Sequence, residues 1–197
     1  MENDPYVRVR RRELYRNPWL TVEAHEIVHP GGVPGEHVLV VTPPTAAVVV
    51  EDRGDLLFAR QPRFAARRSV VEIVKGGGHP GESALETAQR ELREELGVTA
   101  RRWSELGRLY EIPSIVAEPV QLFLARDVEL GNPEPEDVED VVVVRLPIGA
   151  AIDAALGGAI DDAVTVAAIF RFAAAGGFIS AARSMASTRI RARQARS

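Results

Sequence analysis

The order of strand-like and helix-like stretches along the 197 residues predicts an α/β fold of the α+β kind, a mixed β-sheet with helices packed on it. Three observations carry that expectation. Period-two stretches fill much of residues 6–42, a glycine-rich turn at 76–81 runs into an acidic amphipathic helix, and later strands give way to two apolar helical stretches. Charged residues at 26% and hydrophobic ones at 46% suit one globular domain with a sizeable core.

Composition narrows the function classes. A formal net charge of −4 gives no electrostatic reason to expect nucleic acid or a membrane as partner. The absence of cysteine removes disulfides, thiolate nucleophiles and Cys-based zinc sites, and suits a cytoplasmic enzyme. The first residues, MENDPYVRVRRREL, carry charges where a signal peptide needs an apolar core. The longest apolar run, 163–175, contains Arg171 and falls short of the roughly 20 residues that cross a bilayer.

Taken in order, residues 20–28 and 36–42 alternate as antiparallel strands around the turn segment 30–35. Pro43 and Pro44 then break the pattern, which divides the chain into an N-terminal β region (1–43), a main domain (44–179) and a basic tail (180–197). Residues 45–51 and 56–60 read as a hairpin about the turn 52–55, its first strand largely buried. A short apolar run at 70–74 leads into Gly76, Gly77 and Gly78. Beyond the acidic helix, strands are expected at 105–112, 120–128 and 138–146, the last apolar on both faces at 141–144. Pro147 suits the first turn of a helix ending at Gly157 and Gly158. Asp161 or Asp162 is placed to cap a final helix to about residue 175.

The central helix carries the chemistry. At about 100° per residue, Glu91, Glu94 and Glu95 share an arc of about 100°, beside an apolar stripe of Leu85, Ala88, Leu92 and Leu96. Three carboxylates on one arc are hard oxygen ligands suited to Mg²⁺ or Mn²⁺. The preceding glycines permit close backbone approach, so a carbonyl at Lys75 or Gly76 would add another oxygen. Arg90 falls beside Glu94 and is placed to orient it, whereas Glu82 falls opposite the acidic arc, as a supporting or helix-start residue. An acidic helix face can also be no more than a solvated surface paired with nearby arginines.

The spacing favours the metal-binding reading. Gly76, five residues, Glu82, seven residues and then residues 90–98, REELGV-ended as RELREELGV, resemble the Nudix box at every fixed position. The resemblance implies a Nudix fold, with the mixed sheet sandwiched between helices, and metal-dependent hydrolysis of a nucleoside diphosphate linked to another group. It assigns Glu91, Glu94, Glu95 and Gly76 to the metal. Residues 60–63, RQPR, are similar to a stretch of the ADP-ribose pyrophosphatase group that holds substrate, which implies substrate binding by Arg60 and Arg63. Glu72 and Glu118 match further substrate-binding positions, and Glu139, then Glu136, stand in the loop where that group carries its catalytic base. Residues 158–163 are similar to the group's pattern capping the last helix. The implied reaction cleaves ADP-ribose or a related ADP-sugar to AMP and a sugar phosphate, in a homodimer built through the N-terminal region.

Two departures bear on substrate. Residues 72–76 read EIVKG where the group has E-L-P-A-G, and lysine at 75 resembles Nudix enzymes acting on wider ADP-linked compounds, including reduced NAD and dinucleoside polyphosphates. Residues 112–115, IPSI, replace the usual S-P-G of the substrate loop. A Nudix-like sensor that binds nucleotide without cleaving it is the rival from another class. The four histidines show no ligand spacing and read as surface or packing residues, with His79 in the glycine turn placed to touch phosphate; Trp19, Trp103 and Tyr110 could stack an adenine but, as isolated aromatics, read as core.

Overall fold

A computed structural model describes residues 4–133 and 140–176. Among the described residues, two sheets and three helices form the fold. The N-terminal sheet has the order β1-β2-β3, from β1 (Val7–Arg16), β2 (Thr21–Val28) and β3 (Pro34–Val41), antiparallel throughout. The second sheet is mixed and runs β10-β5-β4-β9-β8, with β6 added to β5 and β7 to β4. Its strands are β4 (Thr45–Asp52), β5 (Asp55–Arg63), β6 (Arg68–Glu72), β7 (Val74–Gly77), β8 (Val98–Leu109), β9 (Val120–Leu130) and β10 (Val142–Pro147). Among the described strands of this sheet, only β4 with β9 is parallel. The helices are α1 (Ala84–Leu96), α2 (Ile148–Leu156) and α3 (Ala163–Ala175).

The sheet is covered on both faces, and the alternation of β4 and β5 shows how. Ala46, Val48, Val50, Leu57 and Ala59 pack with Ala88, Leu92 and Leu96 of α1. Ala47, Val49, Leu56 and Phe58 pack with Ala151, Ile152, Val164, Ile169 and Phe172 of α2 and α3. Both faces are apolar, which explains the unbroken valine run of β4. The expected sandwich is present, and the predicted stripe of α1 is the face it buries.

The site depends on how β4 shares one of its edges. Val50–Asp52 pair with β5 across a two-residue turn at Arg53 and Gly54, both at positive φ, while Thr45–Val48 pair with β7. The single run expected at 70–74 is therefore two strands. Ile73 lies between them, and its amide donates to the Thr165 hydroxyl at 3.0 Å instead of to a sheet partner. The segment leaves β5 as β6 and enters the gap beside β4 as β7, which sets Gly76 opposite Ala46, inside the sheet.

Other boundaries moved for identifiable reasons. β8 begins at Val98 rather than 105, because as an edge strand it buries few residues and its first half reads as polar. β10 is also an edge, so Val142 and Val143 are 44% and 41% exposed where burial on both faces was expected. Pro147 closes β10 and stands just before α2, not within its first turn. Among the described residues no helix is long and apolar enough to cross a membrane.

Asp162, not Asp161, caps α3. Its carboxylate accepts from the Thr165 amide at 2.8 Å and the Thr165 hydroxyl at 2.7 Å. Asp162→Ala removes that cap and frees the hydroxyl that holds Ile73, so it is expected to cost about 1–2 kcal/mol. A denaturant midpoint unchanged from the parent would show that the cap carries no stability.

Candidate metal and pyrophosphate site

Residues 76–97 form one closed unit. Ser83 and Glu86 make a reciprocal capping box at the start of α1, and Gly97 ends the helix at φ 65°. Gly76 lies directly beneath the helix: a Cβ there would stand 2.0 Å from Glu91 Cδ and 2.1 Å from its Oε1. A side chain at this position would push the Glu91 carboxylate out of its present place.

Arg90 binds the unit together. Its Nη1 donates to Glu91 Oε1 at 2.8 Å and Glu94 Oε2 at 2.9 Å, its Nη2 to the Gly77 carbonyl at 2.8 Å, and its Nε to Glu82 Oε1 at 2.9 Å. Glu82 precedes the N-cap, so a helical wheel does not apply to it. Its side chain turns back to Arg90 and accepts from the His79 amide and the Thr87 hydroxyl. The Arg90 hydrogen bond, then the His79 amide, hold the Glu82 carboxyl down at about 2. Arg90 is raised, first by Glu82 and against some desolvation.

The remaining carboxylate of the arc, Glu95, is buried at 4% exposure. Nearby, Arg63 donates from Nε and Nη2 to the buried Glu72, the shortest contact being 2.6 Å. Arg63 is raised first by that hydrogen bond, with the charges of Glu95 and Asp162 adding to it. β5 separates its two arginines: Arg63 follows Leu57 and Ala59 on the α1 face, while the exposed Arg60 follows Leu56 and Phe58 on the other. Glu118 is half-buried in the loop before β9. That loop is joined to the N-terminal sheet, since the Val40 amide donates to the Ile115 carbonyl at 2.8 Å and the Ala117 amide to the Val40 carbonyl at 3.0 Å. Glu136 and Glu139 lie outside the described residues.

Lys75 has partners that the sequence did not reveal. Its Nζ lies 3.2 Å from Glu111 and 3.6 Å from Asp162. Burial pushes its ammonium down, but Asp162, Glu111 and Glu72 outweigh that and leave it raised. Asp162 therefore serves both the helix cap and the lysine. The aromatics divide: Trp103 packs edge-on against Phe123, whereas Trp19 and Tyr110 are exposed at 73% and 49% rather than packed.

A divalent cation fits the donor set. Glu91, Glu94 and Glu95 are hard oxygen donors on one helix arc, and the missing Cβ of Gly76 leaves space against Glu91. They do not form a ready cage: among the described residues no three acidic or histidine side chains are grouped to hold a metal. Arg90 supplies positive charge to two of them instead.

Residues 41–168 match the NUDIX domain family and residues 7–40 the nucleoside diphosphate sugar hydrolase N-terminal domain, so the chain belongs to the Nudix family. More particularly, it is 28% identical over 164 residues to an ADP-ribose pyrophosphatase of Bacillus subtilis (strain 168), covering 82% of this chain and 89% of the relative. An ADP-ribose pyrophosphatase of Mycobacterium tuberculosis (strain ATCC 25618 / H37Rv) is 32% identical over 162 residues, covering 81% and 73%. A crystal structure of an ADP compounds hydrolase superposes with a TM-score of 0.75 at 24% identity, covering 85% of this chain and 91% of that one, and shows the same fold.

The Glu82 carboxyl, held below its ordinary 4.5, favours the folded state fully above about pH 4.5, and that contribution is lost as pH falls towards 2. Thermal melts across that range should show a fall that is shallower in Glu82→Gln. Equal slopes for the two proteins would rule out the Glu82–Arg90 contact as its source.

Proposed function

We propose that the chain is a Mg²⁺- or Mn²⁺-dependent hydrolase of the pyrophosphate bond in ADP-ribose or a related ADP-sugar, releasing AMP and a sugar phosphate. The observation that carries this reading is the Arg90-ordered set of Glu91 and Glu94 over Gly76, with the Arg63–Glu72 pair beside buried Glu95. The two ADP-ribose pyrophosphatase relatives cover most of the chain and support the substrate class.

Glu91, Glu94 and Glu95 would hold the cation, with the Gly76 backbone as a further oxygen donor. The chemistry such a cation would supply there is positive charge against the pyrophosphate oxygens and a lowered pKa for a water beside it. Arg90 keeps two of the carboxylates in place, so that ligand geometry does not have to be found at each turnover. Arg63 offers a planar guanidinium to phosphate oxygens as charge develops on them. Arg60, on the other face of β5, would contact the substrate from a different side, and Glu118 would accept from sugar hydroxyls. The general base is assigned to Glu139, with Glu136 second, by resemblance to the family. Cytoplasmic location and a homodimer built through β1–β3 belong to the same reading. Lys75 favours a second one, in which the substrates are wider ADP-linked compounds, as its resemblance to such Nudix enzymes implies.

A product-resolved assay separates these readings, using ADP-ribose, reduced NAD, GDP-mannose and diadenosine polyphosphates, each with Mg²⁺ and Mn²⁺. AMP and ribose 5-phosphate from ADP-ribose are expected, and Glu94→Gln or Glu95→Gln should lower kcat/KM by roughly a hundredfold or more with the melting profile kept. Bound but uncleaved ligand would leave a sensor. Full turnover in both variants would remove the carboxylates from the mechanism.

A further inference from the structure

The short strand β7 is held from the face opposite the carboxylate arc by residues that the cation site does not use. Neighbouring residues of a strand point to opposite sides, and a Cβ at Gly76 would point at Glu91, so Lys75 points away from it. Its partner on β4 is Ala47, which packs in the α2–α3 core. On that side the Lys75 ammonium lies 3.6 Å from Asp162, the N-cap of α3, and 3.2 Å from Glu111 in the segment between β8 and β9. The lysine side chain is 18% exposed, so three segments distant in sequence meet at one largely buried cation.

Asp162 holds this segment at two points. Its Oδ1 faces Lys75, and its Oδ2 accepts from the Thr165 hydroxyl, which in turn accepts from the Ile73 amide at 3.0 Å. Ile73 and Lys75 flank Val74, so the tether fixes the chain on its way into Gly76. From the α1 side, Arg90 Nη2 donates to the Gly77 carbonyl at 2.8 Å. β7 is four residues long and pairs, among the described strands, with β4, so a clamp on each face decides where its backbone stands. Position matters most at Gly76, whose backbone offers an oxygen to the cation in the proposed hydrolase. Mg²⁺ takes its ligands at about 2.0–2.1 Å in near-octahedral array. Carboxylates on a helix and a carbonyl on a strand meet that demand together only if the strand does not shift.

We propose that Lys75 is a positioning residue for the cation, acting from the far face of the sheet through the backbone of Gly76, with Asp162 and Glu111 as its anchors. The proposal rests on the hydrolase reading above for its cation and deepens that reading. It gives Lys75 an effect common to every substrate, where a specificity residue would alter the choice among them. Charge alone predicts the reverse of positioning. Removing an ammonium near a cation site strengthens cation binding, whereas releasing β7 weakens it, so the sign of the change separates the two.

Binding of Mn²⁺ to the full chain, followed as loss of the free-ion electron paramagnetic resonance signal, reads the site without requiring turnover. Lys75→Met keeps the length of the side chain and removes its charge. Asp162→Asn removes the facing charge, while asparagine still caps α3 and the variant should melt close to the parent. Each should weaken Mn²⁺ binding about tenfold, the scale on which residues that support metal ligands act. The double variant should bind little more weakly than either, because both changes break one contact. Lys75→Gln, which keeps a donor for Asp162 and Glu111, carries the same sign test if Lys75→Met does not fold. In the four-substrate assay the variants should lose kcat/KM by one common factor at limiting Mn²⁺ and regain it at saturating Mn²⁺. Mn²⁺ affinity equal to the parent's or tighter in the Lys75 variant would overturn the proposal, as would a loss confined to one substrate or a parent that binds no Mn²⁺. If ADP-ribose is cleaved and the variants bind Mn²⁺ as the parent does, the positioning role fails and the hydrolase reading stands. If none of the four substrates is cleaved while the variants lose Mn²⁺ affinity as expected, the hydrolase reading fails and the positioning role stands.

Discussion

One guanidinium sits among Glu82, Glu91 and Glu94 and also donates to the Gly77 carbonyl, and the arrangement of the site follows from it. Carboxylates one helical turn apart repel, the more so when partly buried and away from bulk water. Arg90 offsets that repulsion with donors fixed in one plane, which lets it reach a loop carboxylate, two helix carboxylates and a strand carbonyl together. A lysine has a point charge on a flexible stem and could not span those four acceptors. The same contact fixes the glycine turn against the helix, so the strand, the turn and the first two turns of α1 move as one piece.

That piece is held from beneath as well. Segment 72–76 alternates between the two faces of the sheet: Val74 and Gly76 meet α1, while Ile73 packs with the α2–α3 core. The Ile73 amide is taken by Thr165, Thr165 by Asp162, and Asp162 lies near Lys75. The cap of α3 therefore sets the height of β7 beneath the acidic helix, although none of its residues belongs to the carboxylate arc. Glu72 shows the cost of such a place. A carboxylate at 5% exposure is tolerated because Arg63 meets it with more than one hydrogen bond, and without Arg63 it would be a buried, unpaired charge.

Much of this fold could be read from sequence where the signal was local. The α1 stripe, the turn at Arg53 and Gly54, the buried β4 and the capping aspartate all depend on residues a few positions apart, and each appeared close to where it was expected. The misplaced features were those set by neighbours distant in the chain. β10 has the apolar pattern of a central strand but lies at an edge, and a run at 70–74 with no turn residue is split because a helix far along the chain takes the Ile73 amide. The polar first half of β8 is a strand because β9 pairs with it, not because its own residues alternate cleanly.

The site divides in the same way, and the division has a physical origin. Carboxylates on one helix need only the fixed geometry of that helix, so their spacing is written in consecutive residues. Residues that meet a substrate must enclose it from several directions, and the contacts around the acidic helix come from separate elements. Lys75 meets Glu111 from 36 residues away, Arg68 meets Asp161 from 93, and the loop bearing Glu118 is pinned to β3 of the other sheet. A replacement in the loop alters the approach to the helix without touching the helix, and a shift of the N-terminal sheet does so without touching the loop. In the proposed hydrolase, cleavage chemistry would therefore stay constant while the group beyond the pyrophosphate changed. What faces that helix is set by the fit between the two sheets and the loop before β9, which no single stretch of this sequence spells out.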